Sequence, residues 1–387
     1  MAPARPYSDA PARPGSGRTR RAAAAAAAGL TAAALLTACG YGSKSTDDGS
    51  GSTPAAATGA AAGKKLSAGT VRIGYFANLT HGTALVGLKE GLFQKELGGT
   101  QVKTQVFNAG PSEIEALNAG SVDIGWIGPS PSVNGYVKSG GRSLRIISGS
   151  ASGGVKLVVD GKKIKKPEDL KGRRIATPQL GNTQDVALLN YIAEKGWKVD
   201  AQTGKGDVSV VRLDNKETPA AFKSGSIDGA WVPEPTASKL VSEGGKVLVD
   251  EKDLWPDKKF VITNVIVSQT FLKQHPDVVE AVLRGSVATN AWIRANPGKA
   301  KADANAELDR LSGKALPADV LDAAWSSIDF TDDPVASSLR TSADHAVKAG
   351  LLDGGADLGG IYDLKPLDAV LKAAGRPAYE DAGLGVR

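Results

Sequence analysis

The sequence predicts an α/β protein built from two similar lobes, with a hinge joining them and a ligand cleft between them. From residue 71 onward, strand-length apolar runs alternate with helix-length segments, which is typical of parallel sheets covered by helices on both faces. Residues 120–127 and 225–232 also share one pattern. Two extended runs, 155–159 and 261–267, stand where the chain would cross between the lobes.

Length and charge exclude several classes of protein. The 387 residues are 41% hydrophobic and 23% charged, which is enough for two domains with their own cores. The net charge is +6, but five of the 47 basic residues and only one of the 41 acidic residues lie in residues 1–38. The rest of the chain is nearly neutral and has no general electrostatic reason to bind nucleic acid, so we predict no such partner.

Residues 1–38 have the order of a secretory signal peptide. Three arginines, ending at Arg21, precede an uncharged, alanine-rich stretch that is short and weakly apolar for a membrane span. Residues 36–39 read Leu-Thr-Ala-Cys, which resembles the bacterial lipobox. We therefore expect cleavage before Cys39, lipidation of its thiol, and anchoring to the outer face of the cytoplasmic membrane. The general and twin-arginine export routes both remain open.

Residues 39–69 are predicted to be the lipidated cysteine and a flexible linker. Apart from Tyr41 and Leu66, the linker has no large apolar side chain, so it cannot bury enough surface to fold. Its root-mean-square reach is roughly 30 Å. Cys39 is the only cysteine, and its lipidation would leave no thiol for a disulfide, a metal site or a nucleophile.

The first lobe is predicted to comprise residues 70–154 and 268–387. Its predicted strands are 71–76, 102–107, 122–127 and 144–148, with helices at 82–90 and 112–119. From residue 276 to about residue 372 the pattern is mostly helical, with Trp292 and Trp325 as core anchors, and we expect this tail to return to the first lobe.

The second lobe is predicted to comprise residues 155–267, including the hinge crossovers. Its predicted strands are 155–159, 174–177, 208–213, 227–232 and 246–249, with helices at 184–195 and 218–223. The two lobes share the internal repeat, in which Gly-Ser, a hydrophobic residue and Asp precede a tryptophan at an offset of 105 residues. We predict that Trp126 lies in the core and that Trp231 forms part of the cleft wall.

Five loops after predicted strands are candidates for ligand contact, because ligands in α/β folds bind beyond the carboxyl ends of strands. Four of them are rich in Gly, Ser, Thr and Asn and lead into helices, whose N-termini attract anions. The loops are 77–82, 108–112, 128–132, 179–184 and 233–236.

Some residues in these loops allow two interpretations. Ligand contact is the favoured interpretation for Thr80, His81, Asn182 and Thr183. Ser112 fits a capping box with the glutamate three residues later as well as it fits a ligand site. The fifth loop contains Glu234, which would either receive an amine of the ligand or be a solvated acid.

Catalytic and cofactor motifs are missing from the sequence. The histidines have no metal-binding spacing, and there is no nucleophile elbow, phosphate-binding loop or complete dinucleotide fingerprint. We therefore predict a protein that is not an enzyme and that has no cofactor and no metal.

Four stretches carry a resemblance to a known family: 71–81, 116–123, 175–185 and 230–235. They resemble the nitrate/taurine/aliphatic-sulfonate family of ABC-transporter substrate-binding proteins, and the match runs from about residue 71 to 374. The resemblance implies a type II periplasmic-binding-protein fold that closes on a small ligand. It also implies delivery to a membrane permease with a cytoplasmic ATPase, and we expect a monomer.

Carried over by position, the ligand-binding residues would be Asn78, Thr80, His81, Ser112, Gly128, Ser130, Asn182, Thr183 and Glu234. Trp231 is added to this set because it stands at the end of a predicted strand, independently of the resemblance. The expected ligand is an aliphatic sulfonate or taurine, with nitrate next. Three alternatives stay open: a thiamine-pyrimidine precursor or other heterocycle stacked on Trp231 and held by Glu234, an enzyme that uses His81 or Glu234, and a sensor or adhesin.

Overall fold

The structure is a computed structural model that describes residues 65–387. Cys39, the predicted signal peptide and nearly all of the predicted linker lie outside the described residues. The strands are β1 Thr70–Phe76, β2 Gln101–Phe107, β3 Ile124–Ile127, β4 Leu144–Gly153, β5 Val155–Val159, β6 Arg174–Thr177, β7 Ser209–Arg212, β8 Gly229–Pro233, β9 Lys246–Asp250, β10 Val261–Ser268 and β11 Ile328–Phe330. The α-helices are α1 Gly82–Lys89, α2 Leu92–Leu97, α3 Gly110–Asn118, α4 Pro129–Lys138, α5 Thr183–Glu194, α6 Thr218–Lys223, α7 Thr236–Ser242, α8 Gln269–Gln274, α9 Pro276–Ala295, α10 Pro297–Ser312, α11 Ala318–Trp325, α12 Ala336–Lys348 and α13 Lys365–Ala373.

The strands form two sheets of the same plan, one in each lobe. The first sheet has the order β2-β1-β3-β10-β4, with β11 added beside β4, and the second has the order β7-β6-β8-β5-β9. In each sheet the first three strands of this order are parallel, and the fourth is antiparallel to its neighbours. The predicted α/β fold with two similar lobes is confirmed.

The strand that follows the second lobe differs from the prediction. Residues 261–268 form β10, which is hydrogen-bonded between β3 and β4 of the first sheet. The predicted second lobe, 155–267, therefore includes a strand of the first sheet. The predicted parallel sheets each contain one antiparallel crossover strand, because β5 and β10 enter their sheets directly from the crossover and so run opposite to the neighbouring strands.

The first crossover between the lobes is a pair of glycines between β4 and β5. Gly153 and Gly154 have φ of +79° and +70°, in the left-handed region that favours glycine. A Cβ on Gly153 would lie 2.8 Å from the carbonyl oxygen of Ser327. Conformation and close packing thus both require glycine at the point where the chain passes from one lobe to the other.

The internal repeat has the same structural role in both lobes. The Asp123 carboxylate accepts hydrogen bonds from the backbone N–H of Arg72 at 2.8 Å and from its guanidinium at 2.9 Å. In the second lobe the Asp228 carboxylate accepts from the backbone N–H of Arg174 at 3.0 Å. Each aspartate ties the start of one strand to its parallel neighbour: β3 to β1 in the first lobe and β8 to β6 in the second. The prediction that Trp126 lies in the core is confirmed, since it is 0% exposed.

The C-terminal helices contact both lobes. Helix α9 packs on α2 and α10 packs on α1, both in the first lobe, while α11 contacts α7 and α12 contacts α5, both in the second lobe. The tail was predicted to return to the first lobe, and its helices contact the second lobe as well. Among residues 65–387 no helix combines the length and the apolar character that crossing a membrane requires.

Candidate ligand-binding site

A narrow cavity lies between the lobes, where the loops after β1, β3, β6 and β8 meet. Its volume of about 20 Å³ is enough to hold a water molecule. The lobes touch beside it: the side-chain oxygen of Asn182 accepts from the backbone N–H of Gly110 at 3.2 Å, and the Leu79 N–H donates to the Glu234 carbonyl at 3.2 Å. The lining residues are Phe76, Asn78, Thr80, His81, Asn108, Gly128, Asn182, Thr183, Gln184, Asn215, Pro233 and Ile262.

Two helices begin at this cavity, one from each lobe. Gly128 precedes α4 and Asn182 precedes α5; both have extended backbone, and neither caps its helix with a side chain. The N–H groups of a first helical turn have no partner within the helix, and the helix dipole adds about half a positive charge there. Both helix starts are thus oriented to donate to an anion.

His81 contributes a neutral hydrogen-bond donor. It is 2% exposed, stacks on Phe76 with 4.3 Å between ring centroids, and its Nδ1 accepts the backbone N–H of Phe76 at 3.2 Å. This bond leaves Nε2 as the ring nitrogen that carries the hydrogen. Burial lowers the pKa of His81 to about 3, so the ring is uncharged at neutral pH.

Asn78 and Thr80 hold the first loop in one shape. The Thr80 hydroxyl donates to the Asn78 side-chain oxygen at 2.6 Å, which leaves the Asn78 amide hydrogens as donors. The Thr263 hydroxyl donates to the Thr80 carbonyl at 2.9 Å. These bonds position donors without placing a charge at the cavity.

Thr183 and Gly128 meet across the cleft. The Thr183 Oγ1 is buried and has no hydrogen-bond partner in the described part of the chain, although its residue lines the cavity. A Cβ on Gly128 would lie 2.3 Å from that oxygen, so only glycine allows the lobes to approach this closely. Thr183 is the clearest unpaired group for a ligand, because an unsatisfied buried hydroxyl costs about 1–3 kcal/mol.

Among residues 65–387, those that line the cavity carry no carboxylate, ammonium or guanidinium group. The nearby acids are already paired. Asp185 accepts from the Thr177 hydroxyl at 2.7 Å and from Arg212 at 3.0 Å. Glu234 accepts from the Lys156 ammonium at 2.6 Å and is 0% exposed.

Six of the predicted residues line this cavity: Asn78, Thr80, His81, Gly128, Asn182 and Thr183. Four do not. Glu234 lies behind it in the ion pair just described. Trp231 is 0% exposed and donates to the Glu251 carboxylate at 2.6 Å, so it belongs to the core and not to the cleft wall.

The two predicted serines also lie elsewhere. Ser112 is inside α3, where its hydroxyl donates to the Ala109 carbonyl at 2.8 Å. Ser130 is buried on α4 and lines a separate small cavity with Gly181 and Ala346.

Several lining residues were not predicted. Asn108 and Gln184 lie in loops 108–112 and 179–184, which the sequence predicted as candidates for ligand contact. Their amide side chains, which can donate hydrogen bonds, could have identified them. Asn215 follows β7 and belongs to no recognised motif. Phe76, Pro233 and Ile262 are apolar and carry no signal of ligand contact in the sequence.

The family follows from comparison with known proteins. The profile of the NMT1-like family matches residues 64–308. The chain belongs to this family. A putative binding protein of Brucella abortus is 30% identical over 264 residues, covering 65% of this chain and 78% of that protein. The taurine-binding periplasmic protein of Escherichia coli is 33% identical over 214 residues, covering 55% of this chain and 64% of that protein.

Solved structures share the fold of this NMT1-like chain. The alkanesulfonate-binding protein SsuA from Xanthomonas axonopodis pv. citri, bound to MOPS, aligns with a TM-score of 0.60 at 22% identity, covering 73% of this chain and 94% of that one. The periplasmic nitrate-binding protein NrtA from Synechocystis PCC 6803 aligns with a TM-score of 0.64 at 15% identity, covering 82% and 88%. The predicted family resemblance and the predicted periplasmic-binding-protein fold are confirmed.

Proposed function

We propose that this chain is the extracytoplasmic solute-binding lipoprotein of an ABC importer and that it captures a small anion. Aliphatic sulfonates and taurine are the first candidates, and nitrate is the next. The observation that carries the proposal is a cavity lined by neutral hydrogen-bonding groups at the start of α4 and α5. A sulfonate accepts hydrogen bonds through three oxygens and donates none, so such donors suit it without a countercharge.

The same cavity argues against phosphate. At neutral pH phosphate is a mixture of monoanion and dianion, and both forms carry a proton that needs an acceptor. Among residues 65–387 the lining supplies neither a cationic side chain to balance the dianion nor a carboxylate to accept the proton. Burying an uncompensated second charge in a narrow cavity is costly. The names of the relatives point the same way, toward taurine and alkanesulfonates.

Lobe closure would couple ligand capture to transport. Contacts such as Gly110 to Asn182 form only when the lobes approach, and Gly153 and Gly154 supply the backbone freedom at the crossover. A ligand that bridges the lobes stabilises the closed form, because it interacts with both lobes only there. We infer that the closed form docks on a membrane permease, whose cytoplasmic ATPase drives import, and that the binding protein acts as a monomer.

The membrane anchor is part of the same proposal. Relatives in E. coli are named as periplasmic or sulfonate-binding proteins, which supports export. The Leu-Thr-Ala-Cys segment supports lipidation at Cys39 and a tethered protein on the outer face of the cytoplasmic membrane. Mass spectrometry of the mature N-terminus tests this directly: a diacylglyceryl cysteine at position 39 supports it, and an intact leader contradicts it.

Binding fits the site better than catalysis. His81, the residue that the enzyme hypothesis assigned as acid or base, has a pKa of about 3 and is a weak base at neutral pH. The heterocycle hypothesis relied on Trp231 and Glu234, and neither lines the cavity. A small anion is therefore the favoured ligand.

A thermal-shift screen of the full chain in detergent tests the proposal. The ligands are alkanesulfonates, taurine, nitrate, phosphate and a thiamine-pyrimidine precursor. At 100 times its dissociation constant a ligand should stabilise the protein by about 2.7 kcal/mol. We expect a shift with sulfonates and none with phosphate; a shift with the heterocycle alone would contradict the proposal.

A further inference from the structure

A second and larger cavity adjoins the first. It has a volume of about 410 Å³ and shares four lining residues with the narrow cavity: Phe76, Asn78, Asn108 and Asn215. A ligand whose head group lies in the narrow cavity can therefore extend into this side cavity. The narrow cavity is too small for more than a head group, so the side cavity determines which ligand tails the protein accepts.

The side cavity combines apolar walls with unpaired lysines. Val106 and Leu316 form part of the apolar wall. Lys239 on α7, in the second lobe, and Lys314, directly after α10, also line the cavity, and neither forms an ion pair within residues 65–387. A third lysine, Lys216, is paired with Asp214 at 3.6 Å.

The charge of Lys314 acts on Lys239. Burial and the charge of Lys314 lower the pKa of Lys239, and Glu243 only partly opposes this effect. Both side chains line the same cavity, one from each lobe, so closure of the lobes brings two ammonium groups to one space. Like charges at short range are unfavourable, and an anionic group between them reverses the sign of the interaction.

We propose that the side cavity binds an acidic group at the far end of the ligand and that Lys239 and Lys314 hold it from opposite sides of the cleft. The preferred ligands are then sulfonates that carry a carboxylate on a short chain. This inference rests on the proposed function, because it places the sulfonate in the narrow cavity. Taurine remains a candidate through its sulfonate in the narrow cavity, but its distal ammonium meets the two lysines, so among the candidate sulfonates we expect it to bind least tightly.

Calorimetric titration of the full chain with matched ligands tests this proposal. Propane-1-sulfonate, taurine and 3-sulfopropanoate have chains of the same length that end in methyl, ammonium and carboxylate; longer sulfocarboxylates cover the distance to the lysines. We expect the best sulfocarboxylate to bind at least about fivefold more tightly than the matching alkanesulfonate, and taurine to bind least tightly. The advantage should shrink as salt is raised, because part of the site is exposed.

Variants separate the lysines from the rest of the site. Lys239→Gln and Lys314→Gln should each reduce the sulfocarboxylate advantage by about two- to fivefold and leave the affinity for propane-1-sulfonate unchanged. Lys239→Arg should retain it. Lys223→Gln is the matched control, since this exposed lysine of the second lobe lies outside the cavity and should change nothing.

The outcomes distinguish the two proposals. If alkanesulfonates bind but sulfocarboxylates bind no more tightly, or if the lysine variants weaken all sulfonates alike, the inference is overturned and the proposed function stands. If no sulfonate binds, the proposed function itself fails and the inference fails with it.

Discussion

Gly128→Ala tests whether ligand capture requires the close approach of the two lobes. The added Cβ would lie 2.3 Å from the Thr183 Oγ1, whereas ordinary contact begins near 3.4 Å, so the lobes would have to separate by about 1 Å. Overpacking of this kind costs about 1–3 kcal/mol. We therefore expect the dissociation constant for an alkanesulfonate to rise by about 5- to 150-fold.

The substitution should destabilise the closed, ligand-bound form and should leave the stability of the unliganded fold unchanged. Gly128 has φ of −71° and ψ of 159°, a conformation that alanine adopts freely, so the unliganded melting temperature should change little. Isothermal titration calorimetry measures the affinity. Gly298→Ala is the control, since Gly298 has no neighbouring atom within 4 Å of an added Cβ.

A double-mutant cycle identifies the clash. In a Thr183→Ala background the Oγ1 is gone, so Gly128→Ala should then cost much less than it does alone. The reasoning would be refuted by a Gly128→Ala protein that binds within twofold of the wild type, or by a cost that is the same in both backgrounds.

Three further predictions concern single buried groups. Thr183→Val removes a hydroxyl that has no hydrogen-bond partner among residues 65–387, so the dissociation constant should rise about tenfold with no loss of unliganded stability; an unchanged constant would exclude Thr183 from ligand contact. Burial raises the pKa of Glu113 well above its ordinary value of 4.5, so the unfolded chain releases this proton first and stability should fall as pH rises above about 4.5. Glu113→Gln should remove that dependence in urea titrations at about pH 5 and about pH 8, and a variant that keeps it would contradict the assignment. Lys156→Gln leaves the buried Glu234 carboxylate without its cation and should lower the free energy of unfolding by about 3–5 kcal/mol, whereas the half-exposed Lys163→Gln should lower it by about 1 kcal/mol or less; equal losses would contradict this prediction.

The secondary structure was largely predictable because it depends on local patterns. The predicted strand 174–177 matches β6, and the predicted helix 184–195 matches α5 within one residue. The direction of β10 was not predictable in the same way. It depends on where the chain re-enters the first lobe, which no local pattern of apolar residues records.

The site was predictable where a loop begins a helix. Gly128 and Asn182 line the cavity because each immediately precedes a helix whose start faces the cleft. Trp231 and Glu234 have equally suggestive sequence contexts, yet both are buried elsewhere. Their partners, Glu251 and Lys156, lie 20 and 78 residues away along the chain, so sequence spacing did not reveal them.

The sequence by itself determined the two-lobed α/β fold, the internal repeat and the family, because periodicity, turn residues and motifs are local properties that the chain carries wherever it folds. Only the tertiary structure decided that, among the residues it describes, those lining the narrow cavity are uncharged and that Lys239 and Lys314 line the side cavity. Those features depend on which side chains from distant segments meet when the lobes close, and that meeting is set by packing and ion pairing across the whole molecule.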